Sequence, residues 1–191
     1  LWWAIPFSFA VLCLASFMWA MKRYFKSDNE GAKKGKSLFA KLGTGAGILV
    51  VIGFMFAVEV PWQQSLLATI CFGLSLLIFW TAIRATQSHR LDFAFSTDSP
   101  KLLIHRGPYR FIRHPIYTSY MLAWIAAPIA TGHYWLVGIL FGLGYFYLKA
   151  AALEEQSFLN STSAEAYRTY LQRTGRFLPS LVAIIRRSSA Q

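Results

Sequence analysis

The chain has 191 residues, of which 55% are hydrophobic and only 14% are charged. Soluble domains carry about 25% charged residues. Here the charged residues are fewer, and long runs of the chain contain none. The composition therefore excludes an ordinary soluble domain and indicates a membrane protein. The formal net charge of +11 would suit a nucleic-acid-binding protein. The basic residues, however, lie in loops between apolar runs, and membrane topology explains that distribution. We therefore expect no nucleic-acid partner.

Five apolar runs predict an all-α, polytopic membrane protein with about five transmembrane helices. The runs cover residues 1–21, 42–58, 65–83, 116–131 and 134–153. The first run has no basic residues before it and no small-residue cleavage site, so we interpret it as a membrane helix rather than a signal peptide. The fourth run is short and contains Pro128, and Gly132 with His133 joins it to the fifth as a helical hairpin. Because the chain begins at Leu1 rather than Met, we expect its natural start to lie upstream.

Polar segments between the runs fix the expected orientation. The segments 22–41, 84–113 and 154–191 hold 18 of the 19 Lys and Arg residues, and the connections on the opposite side hold none. The positive-inside rule therefore predicts an N-terminus outside and a C-terminus in the cytoplasm. An alternative with four spans, in which the hairpin lies in the interface, is disfavoured because it would place the arginine-rich tail outside.

Three local patterns add detail to this outline. The Gly, Ser and Asn content of 22–41 predicts a loop, and Thr162 with Glu165 fits a capping box at a helix start in the cytoplasmic C-terminal segment. Gly43 and Gly47 form a GxxxG pair, which allows close helix approach, although a chance match in a glycine-rich span explains it equally well. The two cysteines lie in apolar runs without ligand spacing, so neither a disulfide nor a metal site is expected.

The candidate chemistry lies between residues 105 and 117. Among its cationic or titratable side chains are Arg106, Arg110, Arg113 and His114. Topology places them on the same side of the membrane as Glu154 and Glu155, whose adjacent carboxylates are unfavourable near anionic lipid. Together the two groups could hold the carboxylate and ammonium of a zwitterionic ligand. The same residues could instead anchor the chain to lipid phosphates through the arginines, or form a plain salt-bridge cluster between loop and tail.

His114 and Pro115 define the start of the fourth span. Pro115 suits the first position of a helix, where its missing N–H costs nothing. The His114 side chain titrates near neutrality, so it could act as a general base. We favour a hydrogen-bonding contact to a ligand for His114, and we expect Arg106 and Arg110 to serve as lipid anchors.

A set of motifs then follows in a specific order and spacing. It comprises Gly107-Pro108-Tyr109-Arg110-Phe111-Ile112-Arg113-His114-Pro115-Ile116-Tyr117, a helical hairpin, Glu154-Glu155, Tyr167-x-x-Tyr170 and Arg176-Phe177-Leu178-Pro179. This arrangement resembles the isoprenylcysteine carboxyl methyltransferase family and the related phospholipid N-methyltransferases. The resemblance implies a multi-pass membrane enzyme without a Rossmann sheet that uses S-adenosylmethionine (SAM). Its acceptor would be lipophilic, an isoprenylcysteine carboxylate or a lipid amine, methylated at the cytoplasmic face.

The resemblance also implies site residues, carried over by position. The cofactor contacts would be Lys101, Leu102, Leu103, Ile104, Tyr109, Arg113, His114, Pro115, Ile116 and Glu154. Catalytic roles would fall to Arg113, His114 and Glu154, and acceptor contacts to Tyr117, Lys149 and Glu155. On this basis the chain is one domain, 1–191, with N-terminal spans in 1–83 and the cofactor-binding catalytic part in 84–191.

The sequence departs from the family pattern at three places. Lys101 stands where the family often has His. The acceptor-facing Arg of the eukaryotic enzymes corresponds to Ala150, and its neighbour Lys149 is the candidate substitute. The Phe-Gly that usually follows the glutamates is replaced by the polar run 160–163. These departures bear on the acceptor more than on the cofactor.

Two other functions stay open from the sequence. One is an NADPH-dependent membrane reductase of sterol-reductase-like architecture, in which Arg110 and Arg113 would hold the phosphates. The other is a non-enzymatic membrane scaffold whose basic loops bind anionic lipid. The scaffold alternative predicts that Glu154→Gln is tolerated.

Overall fold

A computed structural model describes residues 2–26, 30–86, 91–92 and 103–180. These residues form six α-helices: α1 Ala4–Arg23, α2 Glu30–Met55, α3 Trp62–Ala85, α4 Pro115–Thr131, α5 Val137–Leu159 and α6 Ala164–Arg173. Short 3-10 turns, Gly107–Arg110 and Tyr134–Leu136, precede α4 and α5. Within the described residues the strands are limited to one parallel pair of two residues each, β1 Phe25–Lys26 and β2 Leu91–Asp92. The predicted all-α class is confirmed.

Four helical segments are long and apolar enough to cross a membrane by length and composition. They are α1, the part of α2 from Lys33 onward, α3, and the segment Tyr134–Leu159 that contains α5. Large apolar side chains such as Leu67, Leu77 and Phe141 are exposed on these helices, as contact with lipid requires. The prediction of a polytopic membrane protein is confirmed.

The shorter helix α4 lies inside the bundle. It has 17 residues, of which 12 are buried, and it packs more extensively on α3 than on the other described helices. The turn before α4 lies against the end of α3, where Gly107 meets Ala85. At the other end, the carbonyl of Thr131 accepts a hydrogen bond from Val58, shortly before α3 begins. α4 therefore runs antiparallel along the length of α3 within the bundle.

Two predicted boundaries are corrected. The segment 22–41 is not a loop throughout, because α2 begins at Glu30. The hydropathy of the sequence predicts where the chain enters the hydrocarbon, not where the helix begins. Ala, Lys and Leu residues before that point favour helix as well, so the helix starts earlier than the apolar run. The helix predicted near residue 162 is confirmed as α6, but its N-cap is Ser163 and no side chain caps it, so the capping box does not form.

The glycines have distinct roles. Gly132 has φ +70° and caps the C-terminus of α4, and a Cβ there would overlap Val58, so the predicted tight turn is confirmed and requires glycine. In α2, a Cβ on Gly47 would lie 3.1 Å from Leu14 of α1, whereas a Cβ on Gly43 would have no neighbour within 4 Å. Only one member of the GxxxG pair therefore serves close helix packing in the described structure.

Candidate functional site

The segment that follows α6 returns to the start of α4 and pairs with it. The amide of Arg113 donates to the carbonyl of Gly175 at 2.8 Å, and the amide of His114 donates to the carbonyl of Arg176 at 3.1 Å. Ile112 forms a parallel bridge with Gly175. The structure thereby brings the basic stretch, the end of α5 and the tail together at one end of the bundle.

Glu155 lies at the centre of a cationic cluster. Its side chain is 9% exposed, and its Oε1 accepts from Arg113 Nε at 3.0 Å and from Arg176 Nε at 3.1 Å. Oε1 also lies 3.3 Å from His114 Nε2, and Oε2 pairs with Arg176 Nη2. Because three cationic or titratable groups occupy both oxygens, the Glu155 carboxylate has little capacity left for a ligand. Glu155 instead holds its three partners in place.

Glu154 is the more open of the two carboxylates. Its side chain is 29% exposed. The Tyr117 hydroxyl donates to Oε1 at 2.6 Å, and Oε2 lies 3.2 Å from His114 Nδ1. An ionised carboxylate offers about four lone-pair positions, so the two contacts leave room for a further donor. The difference between Glu154 and Glu155 follows from helix geometry, since successive side chains are rotated by about 100°.

His114 bridges the two carboxylates. Its Nδ1 faces Glu154 and its Nε2 faces Glu155, so both nitrogens must carry a proton to avoid opposing lone pairs. Burial by itself would lower the pKa of His114, but the hydrogen bonds to Glu154 and Glu155 outweigh it and raise the pKa above its ordinary value. An imidazolium has no lone pair with which to accept a proton. The geometry therefore favours ligand contact or positioning over general-base catalysis.

This arrangement predicts that stability falls at alkaline pH. The pKa of His114 is higher in the folded chain than the ordinary value of about 6.5. Its stabilisation is therefore present in full below about pH 6.5 and is lost as the pH rises through the folded-state pKa. We expect the Tm of the purified protein in detergent to decline from pH 6 to pH 9, and His114→Gln to flatten that decline.

The control for this prediction is His105→Gln. The His105 ring packs edge-on against Tyr170 and is exposed. We expect the control to retain the pH profile of the unsubstituted chain. Equal flattening in both variants would contradict the assignment of the effect to His114.

The other predicted cofactor residues fall at different depths. Pro115 and Ile116 are buried in the first turn of α4, and Tyr109 is half-buried, with its carbonyl accepting from the Tyr170 hydroxyl at 2.7 Å. Leu103 and Ile104 are half-buried in the segment before the 3-10 turn. Lys101 and Leu102 lie outside the described residues.

Lys149 does not take the position expected of it. It is exposed on α5, and its ammonium lies 4.8 Å from the centroid of the Tyr145 ring. Ala150 is fully buried, so the one-residue offset rotates Lys149 away from the interior. The structure does not bring Lys149 together with Glu154 and His114, and this argues against its predicted role as an acceptor contact.

Arg176 is a site residue that sequence reasoning missed. It appeared only within the Arg176–Pro179 motif, and no role was predicted for it. The structure pairs it with Glu155 through two donors, while its side chain is 41% exposed. Its position after α6 was the available signal, because the topology returns that segment to the same side as Glu155.

Comparisons with known proteins identify the family of this chain. Residues 63–166, more than half of the chain, match the phospholipid methyltransferase family. The chain belongs to this family. The matched region extends from α3 into α6 and contains His114, Glu154 and Glu155, but not α1, α2 or Arg176. The predicted resemblance is confirmed, and the match favours a membrane methyltransferase over the reductase and scaffold alternatives.

Two curated relatives carry a more specific name. The methanethiol S-methyltransferase of Pseudomonas sp. (strain GM41(2012)) is 30% identical over 130 residues, which cover 64% of this chain and 48% of that protein. The methanethiol S-methyltransferase 1 of Bradyrhizobium diazoefficiens is 35% identical over 71 residues, 37% of this chain and 24% of that protein. The aligned parts of this chain thus span about half or less of these relatives. No solved structure matches the chain significantly.

Proposed function

We propose that the chain is a SAM-dependent methyltransferase of the membrane that methylates a lipophilic acceptor. The observation that carries the proposal is the pair of glutamates at the end of α5. Glu155 is enclosed by Arg113, His114 and Arg176, whereas Glu154 is partly open and held by two contacts. The cluster is therefore fixed in shape and presents one carboxylate outward.

The residues present fit the amino-acid end of SAM. This part of the cofactor carries an ammonium and a carboxylate on the same carbon. Glu154 has unused lone pairs for the ammonium. Arg176 uses Nε and Nη2 on Glu155, which leaves further N–H donors of its five for a carboxylate. A partly open carboxylate, held by Tyr117 and His114, and a guanidinium held by Glu155 match a zwitterion in charge.

When bound, SAM supplies an electrophilic methyl group on a sulfonium. The chain's contribution is to hold the acceptor close and in line with that group, which can provide much of the rate. We assign one side of the acceptor site to the Tyr117 ring. This ring is held in place by stacking on His114 and on Tyr147, with 5.7 Å and 5.6 Å between ring centroids. For an acceptor that must lose a proton, Glu154 is the group with a free lone pair to receive it.

We also propose that the site faces the cytoplasm, with the N-terminus outside. The concentration of Lys and Arg at one end of the bundle supports this orientation. The site lies at that end, because the polar segments 103–113 and 160–180 contribute to it. Labelling of single cysteines introduced at residues 59 and 165, with a reagent that does not cross membranes, tests the orientation in intact cells. We expect labelling at 59, and labelling at 165 rather than 59 would contradict the orientation.

The SAM site is tested by equilibrium binding of radiolabelled SAM to the purified chain. Glu154→Gln keeps the size of the side chain but removes the charge that attracts the ammonium. Loss of a hydrogen bond to a charged group costs about 1.5–3 kcal/mol, so we expect SAM affinity to fall about tenfold or more. Glu165→Gln on the exposed side of α6 is the matched control and should bind normally. Equal affinities of the two variants would refute the assignment of Glu154.

A further inference from the structure

A cavity of about 420 Å³ lies between α1, α2, α4 and α5. Its lining is almost entirely apolar and includes the aromatic side chains of Phe17, Phe39 and Trp124. Sites that hold small organic ligands have volumes of about 300–1,000 Å³. The cavity is thus large enough for a ligand far bigger than a one-carbon thiol.

The cavity follows α2 lengthwise. Its lining residues on α2 recur at three- and four-residue spacing, from Phe39 through Gly43 and Gly47 to Ile52. Thirteen helical steps correspond to about 20 Å, which exceeds the roughly 15 Å depth of hydrocarbon in one leaflet. Gly43 widens this stripe, because a Cβ there would have no neighbour within 4 Å. The length and lining of the cavity suit a long apolar chain.

One end of the cavity adjoins the candidate SAM site. Tyr147 and Tyr120 line the cavity. Tyr147 stacks face to face on Tyr117, whose hydroxyl donates to Glu154. The Tyr120 side chain is 3% exposed, and its hydroxyl has no hydrogen-bond partner among the described residues. A buried unpaired hydroxyl is unfavourable, so it marks a place where a polar group of a ligand would be stabilised.

Lys22 adds charge at the rim of the same cavity. It lies in the last turn of α1. This end of α1 is on the side of the bundle that carries the cluster, because β1, which follows α1, pairs with β2, which follows α3. A cation at the mouth of an apolar groove is complementary to an anionic or strongly polar head. The combination matches an amphiphile whose tail lies along α2.

We propose that this cavity binds the hydrocarbon tail of the methyl acceptor and selects acceptors with a long chain. The inference rests on the proposed function for the reaction, but the cavity itself is built largely from α1 and α2. Both helices lie outside the matched family region 63–166. Under this proposal, acceptor choice depends largely on two helices outside the matched region.

The first experiment measures methyl transfer from SAM to straight-chain thiols from methanethiol to hexanethiol, with the purified full chain. Each buried methylene can improve binding about fourfold, so we expect KM to fall at least tenfold across the series. Gly43→Leu fills the cavity and should abolish this dependence on chain length. Gly45→Leu is the matched control, since Gly45 is exposed on the same helix and a Cβ there meets nothing within 4 Å. Partition of thiols into detergent affects all three proteins equally.

The second experiment does not require turnover. Binding of cis-parinaric acid, a fluorescent fatty acid, is followed by energy transfer from tryptophan, because Trp124 lines the cavity. We expect Gly43→Leu to weaken binding at least tenfold relative to Gly45→Leu. Equal binding by the two variants, or KM values that do not depend on chain length in the unsubstituted chain, would overturn the inference. If the unsubstituted chain binds parinaric acid but does not bind SAM, the proposed function is contradicted while the inference about the cavity stands.

Discussion

Glu155→Gln is expected to destabilise the folded chain by about 3 kcal/mol. Removing one member of a buried ion pair costs about 3–5 kcal/mol, because the remaining charge stays buried without compensation. Here the side chains of Arg113 and His114 are 13% and 7% exposed. Arg176 is 41% exposed, and water solvates it, so we expect the lower end of the range. Thermal unfolding in detergent, followed by near-UV circular dichroism, measures the effect.

Two further variants make this prediction specific. Glu165→Gln removes an exposed carboxylate on α6 and should change stability by less than about 0.5 kcal/mol. The double variant Arg113→Gln with Glu155→Gln should lose less than the sum of the single changes, since each change removes the same contact. Additive effects in this cycle would show that Glu155 and Arg113 do not act together.

Gly175→Ala is expected to lower both stability and SAM affinity. A Cβ at Gly175 would overlap the carbonyl oxygen of Leu178, which belongs to the backbone and cannot rotate away. Residues 175–178 would have to move, and the backbone bonds from Arg113 and His114 to this segment would be lost. Arg176 lies within the same segment, so the Glu155 cluster would loosen with it. We expect a cost of at least about 2 kcal/mol, in the range of other overpacked sites.

Gly142→Ala on α5 is the control for this substitution. A Cβ at Gly142 meets nothing within 4 Å, and alanine favours helix over glycine by about 0.5–1 kcal/mol. The control should therefore be as stable as the unsubstituted chain or more stable, with unchanged SAM affinity. If Gly175→Ala has the same Tm and the same SAM affinity as the control, residues 175–178 do not position the Glu155 cluster.

The sequence by itself determined the features that depend on local chemistry. Apolar runs and the one-sided distribution of Lys and Arg predicted a helical membrane protein, because burying charge in hydrocarbon is costly wherever it occurs in the fold. Pro115 marked the first residue of α4, and Gly132 marked its end. The resemblance indicated a membrane methyltransferase. Membership of the phospholipid methyltransferase family confirms that prediction.

The tertiary structure decided which side chains act together. Glu154 and Glu155 are chemically identical neighbours, and only their rotation on α5 separates an open carboxylate from one enclosed by Arg113, His114 and Arg176. The same rotation turns Lys149 outward beside the buried Ala150. The partners of Glu154 and Glu155 are more than 20 positions away in the chain, so these contacts depend on how α4, α5 and the segment after α6 pack. The cavity along α2 likewise arises from four helices, because no single helix encloses space.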